Sequence, residues 1–472
     1  MNKTKIICTI GPASDTKETF TQLVKSGLSV ARLNLSHGNQ EYYKKIISMI
    51  NEVREELSIP VAILMDTRGP EIRTRKFVDG SIELLAGKKI RISYGDCEGT
   101  AERFCVTYPT LHEDVQVGGT ILIDDGLIEL EVVEIDGEDV ICVVKNGGIV
   151  KNRKGVNIPN MHLNLPALTA ADEADLIFGI ENDIDFVAAS FVRTEADVQV
   201  IRDHLDKNGG QGVKIVSKIE SQEGIDNIDA IIEMSDGIMV ARGDLGVETP
   251  PEAIPHIQKL IVKKCNEADI PVIIATQMLD SMQKNPRPTR AEVSDVANAI
   301  LDGTDAIMLS GESAAGKYPI ESVRSMRRIA EVAETTMDYR NLFTKIVNRR
   351  EKSVTNSVSH ASCSTAMQLN AKAIICPTYS GSTAKLISMY RPNVPIIATT
   401  SNPKVQRQLM LNWGVLPLIM EQQTSSDILF YKSVEKTKSL GLVKSGDLVV
   451  ITAGVPLGIT GKTNLMKVQE VD

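Results

Sequence analysis

At 472 residues the chain is too long for one ordinary core, which predicts two or three domains. Its 42% hydrophobic and 24% charged residues describe a soluble globular protein. A net charge of −9 and only 4% aromatics exclude a general affinity for nucleic acid or acidic membranes, but not local basic pockets for phosphorylated metabolites. The seven cysteines lack CxxC or other metal-ligand spacing, so buried reduced thiols are expected. No apolar run reaches membrane-spanning length and the N-terminus lacks a signal-peptide core, which predicts a cytoplasmic location.

Lys3 to Ile10 reads as a strand, followed by the turn Gly11-Pro12 and a helix through Leu23. Val30 to Leu35 is a second strand, with Arg32 and Asn34 on one face, leading into Ser36-His37-Gly38. A charged helix covers Glu41 to Leu57, and a third strand, Val61 to Met65, ends in Asp66-Thr67-Arg68. From about Thr74 to Leu165 the texture changes to short alternating strands. Turns recur there at Asp79-Gly80, Asp125-Gly126, Asp136-Gly137 and Gly147-Gly148, which predicts an inserted all-β domain. Its basic loop, Lys151 to Gly155, is simply solvated unless the domain closes over an anion.

The α/β pattern resumes at Thr169. Strands at Phe186–Phe191, Val213–Ser217, Ile238–Ala241, Pro271–Ala275 and Ala306–Leu309 join the first three. About eight strand-plus-helix units result, the number that closes a (β/α)8 barrel. After a polar linker, Arg340 to Thr355, strands at Ala373–Cys376, 395–399, Leu416–Met420 and Leu448–Thr452 alternate with helices as a smaller open α/β sheet.

Charged residues fall where barrel strands stop, the face on which such barrels do chemistry. Lys218 and Glu220 follow one strand and share a face; Arg242-Gly243-Asp244 follow the next. Either pair alone reads as a surface ion pair or an ordinary turn, but both at successive strand ends favour a site. Two carboxylates completed by water and substrate oxygens suit Mg²⁺. Lys218 could neutralise a transferring phosphoryl group or an enolate, and the Gly243-Asp244 amides could face an anion. In the last domain Thr378-Tyr379-Ser380-Gly381-Ser382-Thr383 opens a helix and reads equally as a phosphate nest or a plain N-cap. Two near-matches to a P-loop fail. Gly311 to Lys317 is followed by Tyr318 instead of Ser or Thr, and Gly461-Lys462-Thr463 is preceded by Pro456 where the first glycine belongs.

Six runs together resemble the pyruvate kinase family: Ile215–Ile225, Ala31–Gly38, Asp66–Thr74, Met239–Gly246, Ala275–Leu279 and Pro286–Glu292. The likeness covers essentially the whole chain. It implies a catalytic (β/α)8 TIM barrel (A, 1–70 and 167–338), an inserted β-barrel lid (B, 71–166) and a C-terminal open α/β regulatory domain (C, 339–472). Neither an animal-type N-terminal extension nor the extra C-terminal domain of some bacterial members is expected. Glu220 and Asp244 correspond to Mg²⁺ (or Mn²⁺) ligands. Lys218 would bridge phosphoryl group and enolate oxygen; Thr276 and the Gly243 and Asp244 amides would hold the phosphoenolpyruvate carboxylate region. Arg32 and Arg73 would contact phosphoryl oxygens, while His37 and Lys154, with Asn34, would lie near ADP or ATP. Asn34, Ser36, Asp66 and Thr67 resemble a K⁺ site, and Glu71 resembles the K⁺-dependent members. Ser310 and Glu312 would form a water-linked proton relay. Thr378, Ser380, Gly381, Ser382 and Thr383 would bind a phosphorylated effector: a sugar bisphosphate, a sugar monophosphate or AMP. Arg68 stands where many members carry Lys and keeps the charge. The resemblance further implies a homotetramer.

The reaction so implied is phosphoenolpyruvate plus ADP giving pyruvate plus ATP. Two alternatives use the same barrel: an Mg²⁺-dependent pyruvate-enolate lyase or aldolase without nucleotide, and a catalytically silent metabolite sensor. The lid's basic loop disfavours the first, and the complete Lys218, Glu220, Asp244, Thr276 set disfavours the second.

Overall fold

The computed structural model describes residues 2–347, 352–458 and 461–472. Eight parallel strands close a barrel: β1 (Lys5–Thr9), β2 (Leu28–Asn34), β3 (Ala62–Asp66), β4 (Phe186–Ala189), β5 (Lys214–Ile219), β6 (Gly237–Ala241), β7 (Val272–Ala275) and β8 (Ala306–Leu309). Each pairs with its sequence neighbours, and β1 pairs with β8 to complete the ring. The strands are buried on both faces, which is why they read as continuous apolar runs. Alternation still sorts them: Ile6 and Cys8 pack outward against the helices, whereas Ile7, Val30, Leu64, Val216 and Met239 fill the barrel interior. Met410 and Leu411 of the C-terminal domain join that inner cluster. The C-terminal domain thus seals the end of the barrel opposite the strand C-termini.

Between β3 and β4 the chain makes the expected insertion, a six-stranded sheet and a two-stranded sheet around a core of its own that includes Ile92, Phe104, Ile121, Leu130 and Val144. Its only helix is one turn, Leu111–Asp114, among the described residues. One expectation fails here. Cys97 and Cys105 are disulfide-bonded, because the turn after Tyr94 folds back and brings their Cα atoms to 5.8 Å. Cys8, Cys142, Cys265, Cys363 and Cys376 are buried free thiols, as expected.

The C-terminal domain is a five-stranded sheet in which β9 (Ala373–Pro377), β10 (Ile396–Thr400), β11 (Val415–Ile419) and β12 (Leu448–Ala453) are parallel. β13 (Leu465–Glu470), which the sequence reading omitted, pairs antiparallel with β12 at the edge. The linker expected at Arg340–Thr355 is partly helix: Tyr339–Val347 folds with Phe343 buried against Tyr390 and His360. Residues 348–351 of that linker lie outside the described residues. Arg407 pairs with Asp185 at 2.7 Å and Arg391 with Asp305 at 3.0 Å, tying this domain to the start of barrel strands. No helix is long and apolar enough to cross a membrane among the described residues.

Candidate active site

Four buried charges meet where β2, β3 and β5 end. Asp66 accepts from both Arg32 Nε, at 2.9 Å, and Arg32 Nη2, a two-point pairing that fixes the guanidinium plane. Arg32 Nη1 also donates to Thr9 Oγ1 at 3.0 Å. Lys218 Nζ stands 3.5 Å from Asp66 and 2.9 Å from Glu220 Oε1, and donates to Ser190 Oγ at 2.8 Å. Burial opposes the Lys218 charge, yet Glu220 and Asp66 outweigh it and hold the ammonium above its ordinary pKa. Burial likewise works against Asp66, but Arg32 and Lys218 carry its pKa below the usual carboxylate range. For Glu220 the balance reverses: burial pushes it up to about 7, against the pull of Lys218 and with Asp244 adding repulsion.

With both carboxylates ionised, Arg32, Lys218, Asp66 and Glu220 cancel in charge, and Asp244 nearby leaves a net −1, so no cation of this cluster is unpaired. Glu220 Oε2 accepts the Phe191 N–H at 2.7 Å, and its Oε1 pairs with Lys218 Nζ at 2.9 Å. Among the described residues no group of three or more His, Cys, Asp or Glu is arranged to hold a metal. A two-carboxylate site of this kind suits Mg²⁺, which keeps several non-protein oxygens.

Thr276, at the end of β7, sits in the left-handed region at φ 69°, followed by Gln277 at φ 53°. The strained turn aims Thr276 Oγ1 across to β6, where it accepts the Gly243 N–H at 2.7 Å. That amide is therefore engaged rather than open to an anion. Arg242 braces the same turn, donating to Thr276 O at 2.8 Å and pairing with Asp295 at 2.8 Å. At the end of β8, Glu312 accepts from Leu279 N at 3.0 Å and Ser310 N at 2.8 Å, and burial raises its pKa. Among the described residues Ser310 Oγ is buried with no hydrogen-bond partner.

The lid hinge holds Glu71 and Arg73 together at 2.6 Å, and Arg73 also donates to Arg153 O. Burial raises the Glu71 pKa; Arg73 opposes this, and Asp244 and Asp125 add repulsion, so the barrel and lid carboxylates face one another. Gly69 needs its φ of 73°, and a Cβ there would meet Phe191 at 2.7 Å. Lys154 pairs with Asp124 at 2.7 Å within the lid, and Asn157 reaches Glu248 of the barrel at 2.8 Å. His37 and Ser36 are exposed, while Asn34 lies in register with Asp66 and accepts from Ser36 N at 3.2 Å. Thr67 Oγ1 accepts from Ser190 N at 3.0 Å. The four residues expected to hold K⁺ thus lie around two adjacent strand ends and offer only oxygen, the donor chemistry a hard monovalent cation needs.

Sequence reasoning did not single out Thr9, Ser190 or Asp295, and it noted Arg242 at a strand end without giving it a role. Ser190 joins Lys218 to Thr67 O, with which its Oγ bonds at 2.8 Å, and its place just past β4 was the available signal. In the C-terminal domain, Thr378, Ser380, Ser382, Thr383 and Lys462 line a cavity of about 530 Å³. Gly381, at φ 84°, turns the loop there, and its N–H donates to Thr378 Oγ1 at 3.0 Å. Thr383 Oγ1 is taken by Thr463 at 3.0 Å.

A closed barrel with a buried ammonium and carboxylates at its strand ends, and a β domain inserted after β3, is the architecture of a barrel enzyme whose chemistry sits at that end. Two family models match: "Pyruvate kinase, barrel domain" over residues 1–323 and "Pyruvate kinase, alpha/beta domain" over residues 356–469. A pyruvate kinase of Clostridium acetobutylicum is 52% identical over 473 residues, covering 100% of both chains. One from Geobacillus stearothermophilus is 51% identical across 99% of this chain and 80% of its own. The crystal structure of a pyruvate kinase from Cryptosporidium parvum superposes with a TM-score of 0.96 at 41% identity, covering 100% of this chain and 96% of that one. The chain belongs to the pyruvate kinase family, and it is a phosphotransferase.

Proposed function

We propose that the residues at the strand ends carry the pyruvate kinase reaction on phosphoenolpyruvate and ADP in specific roles. The observation that supports this most directly is the neutral buried cluster of Arg32, Asp66, Lys218 and Glu220. Asp66 holds Arg32 and Lys218 in position, so both cations point at one place without reorganising during the reaction. Arg32 and Arg73 neutralise phosphoryl oxygens, Arg73 exchanging its present Glu71 and Arg153 partners for substrate. Lys218 steadies the phosphoryl group and then the enolate oxygen that its departure leaves. Thr276 and the Asp244 backbone position the carboxylate end, while the Gly243 amide, held by Thr276 Oγ1, fixes the turn. Ser310 and Glu312 deliver a proton to the enolate carbon through an ordered water. His37, Asn34 and Lys154 serve the nucleotide, and the lid excludes water that would otherwise accept the phosphoryl group.

Glu220 and Asp244 would hold Mg²⁺ (or Mn²⁺), which supplies charge neutralisation at the transferring group. Asn34, Ser36, Asp66 and Thr67 would hold K⁺, a further positive charge beside the same anions. The loop Thr378–Thr383 would take a phosphorylated effector. Domain limits of 1–70 with 167–338, 71–166 and 339–472, a homotetramer and a cytoplasmic location complete the reading. They rest on the family likeness and are tested by limited proteolysis, light scattering and cell fractionation.

The deciding experiment is an assay coupling pyruvate formation to lactate dehydrogenase. Turnover that requires ADP is expected. Pyruvate release without ADP would support the lyase alternative, and none under any condition the sensor.

A further inference from the structure

The chain leaving β4 bends sharply at one residue. Phe191 sits in the left-handed region at φ 55°, where a bulky side chain is strained and must be held by its surroundings. Two consecutive residues at this bend reach the end of β5. Ser190 Oγ accepts from Lys218 Nζ at 2.8 Å, and the Phe191 N–H donates to Glu220 Oε2 at 2.7 Å. One dipeptide therefore holds both members of the Lys218–Glu220 pair, which are themselves 2.9 Å apart.

Ser190 is fixed in turn by the end of β3. Its N–H donates to Thr67 Oγ1 at 3.0 Å, its Oγ donates to Thr67 O at 2.8 Å, and Thr67 N donates to Ala188 O at 3.0 Å. Both Ser190 and Thr67 are buried. A serine hydroxyl carries one hydrogen, and Thr67 O takes it here, so only lone pairs are left for Lys218. The hydroxyl can then accept from the ammonium and do nothing else. Lys218 has two other neighbours. Glu220 is shared with Phe191, and Asp66, at 3.5 Å, also serves Arg32. Both are carboxylates, which offset the charge they hold. Ser190 is the neutral partner: it sets the direction of the ammonium without cancelling its charge.

We propose that Ser190 is a positioning residue for the reaction, its hydroxyl, oriented by Thr67 O, holding the Lys218 ammonium in the place from which it acts. The inference rests on Lys218 acting on the phosphoryl group and the enolate. The competing reading is that Ser190 merely joins the ends of β3 and β4. Ser190→Ala separates the two, because alanine keeps the N–H that bonds Thr67 Oγ1 and loses only the hydroxyl.

Turnover of phosphoenolpyruvate with ADP is measured for Ser190→Ala, Lys218→Met and the double variant, each below its own thermal midpoint. Ser190→Ala alone should lower kcat by about tenfold or more, the scale of one hydrogen bond to a charged group. In the Lys218→Met background the same change should cost nothing further, since a residue that acts through Lys218 then has nothing to act on. A crystal structure of Ser190→Ala gives a reading free of activity: the Lys218 ammonium should leave its place while Arg32 and Asp66 keep theirs. Ser190→Thr keeps the hydroxyl and should keep most of the turnover. An equal loss in both backgrounds would make Ser190 structural and overturn the proposal. Parental turnover of Ser190→Ala, an unmoved Lys218 ammonium, or a Ser190→Thr enzyme as slow as Ser190→Ala would overturn it too. Parental turnover of Lys218→Met would remove the role of Lys218 itself, and the proposal with it.

Discussion

Lys218 Nζ and Glu220 Oε1 are 2.9 Å apart at the end of β5, both buried. Alternate residues on a strand share a face, so the spacing that brings them together is set by the backbone alone. The ammonium keeps its charge because two carboxylates surround it, whereas Glu220, with Asp244 as a neighbour, is pushed up to about 7. In the proposed metal site, Glu220 is therefore the group that a divalent cation would change most.

Glu220→Gln should lower kcat by about 100-fold or more, the scale of a misplaced reacting group. The parent enzyme should bind Mg²⁺ more weakly as pH falls. Below about 7 Glu220 is increasingly protonated and the ion must displace that proton. Above that value the affinity should level off. Calorimetric titration with Mg²⁺ between pH 6 and pH 8 on the ordinary titration scale checks this, and near-normal turnover of Glu220→Gln at saturating Mg²⁺ would remove the ligand role.

Glu71 pairs with Arg73 and is repelled by Asp244 and Asp125. In potassium-free buffer, with a bulky organic cation keeping the ionic strength, the parent enzyme should lose most of its activity. Glu71→Lys, which places an ammonium among those carboxylates, should recover part of it. Full parental activity without K⁺ would be incompatible with the site at Asn34, Ser36, Asp66 and Thr67.

Among the described residues Ser310 Oγ is buried without a partner beside Glu312, and the roles proposed for the two concern protonation rather than phosphoryl transfer. Ser310→Ala should slow exchange of pyruvate methyl protons with D₂O by about 100-fold, with a smaller change in phosphoenolpyruvate KM. Proton NMR of pyruvate in D₂O reads the exchange directly. An unaltered rate would move the proton donor elsewhere.

Much of this site was legible because barrel strands end in charged residues whose faces alternate: Arg32, Lys218, Glu220 and Thr276 all announce themselves in that way. What could not be read were relations between strands. That Asp66 would take both Arg32 and Lys218 depends on the register of β2, β3 and β5. That Ser190 would bridge Lys218 and Thr67 depends on a neighbouring strand 28 residues from Lys218 along the chain. Thr276 carries no sign of its positive φ, since β-branched residues avoid that region and only its contacts hold it there. The Cys97–Cys105 pair escaped notice because its eight-residue separation matches no ligand motif. Met410 and Leu411 read as ordinary apolar residues, and nothing local reveals that they close the barrel.

The effector reading rests on the turn at Gly381 and the hydroxyls beside Lys462. Replacing Ser380 and Ser382 with Asp should abolish activation by a phosphorylated sugar or AMP through charge repulsion, while leaving unactivated turnover in place. Activation surviving the double change in an assay across effector concentrations would relocate the site.

The most direct test is the ADP-dependent turnover of Lys218→Met beside the parent chain, both at saturating Mg²⁺ and K⁺. Methionine keeps the apolar stem and removes the charge that steadies phosphoryl group and enolate. A kcat lower by about 100- to 1,000-fold, the cost of losing one preorganised electrostatic contact, is predicted, measured below the variant's own thermal midpoint because Asp66 and Glu220 lose a buried partner. A Lys218→Met enzyme that turns over phosphoenolpyruvate at close to the parental rate would contradict the account.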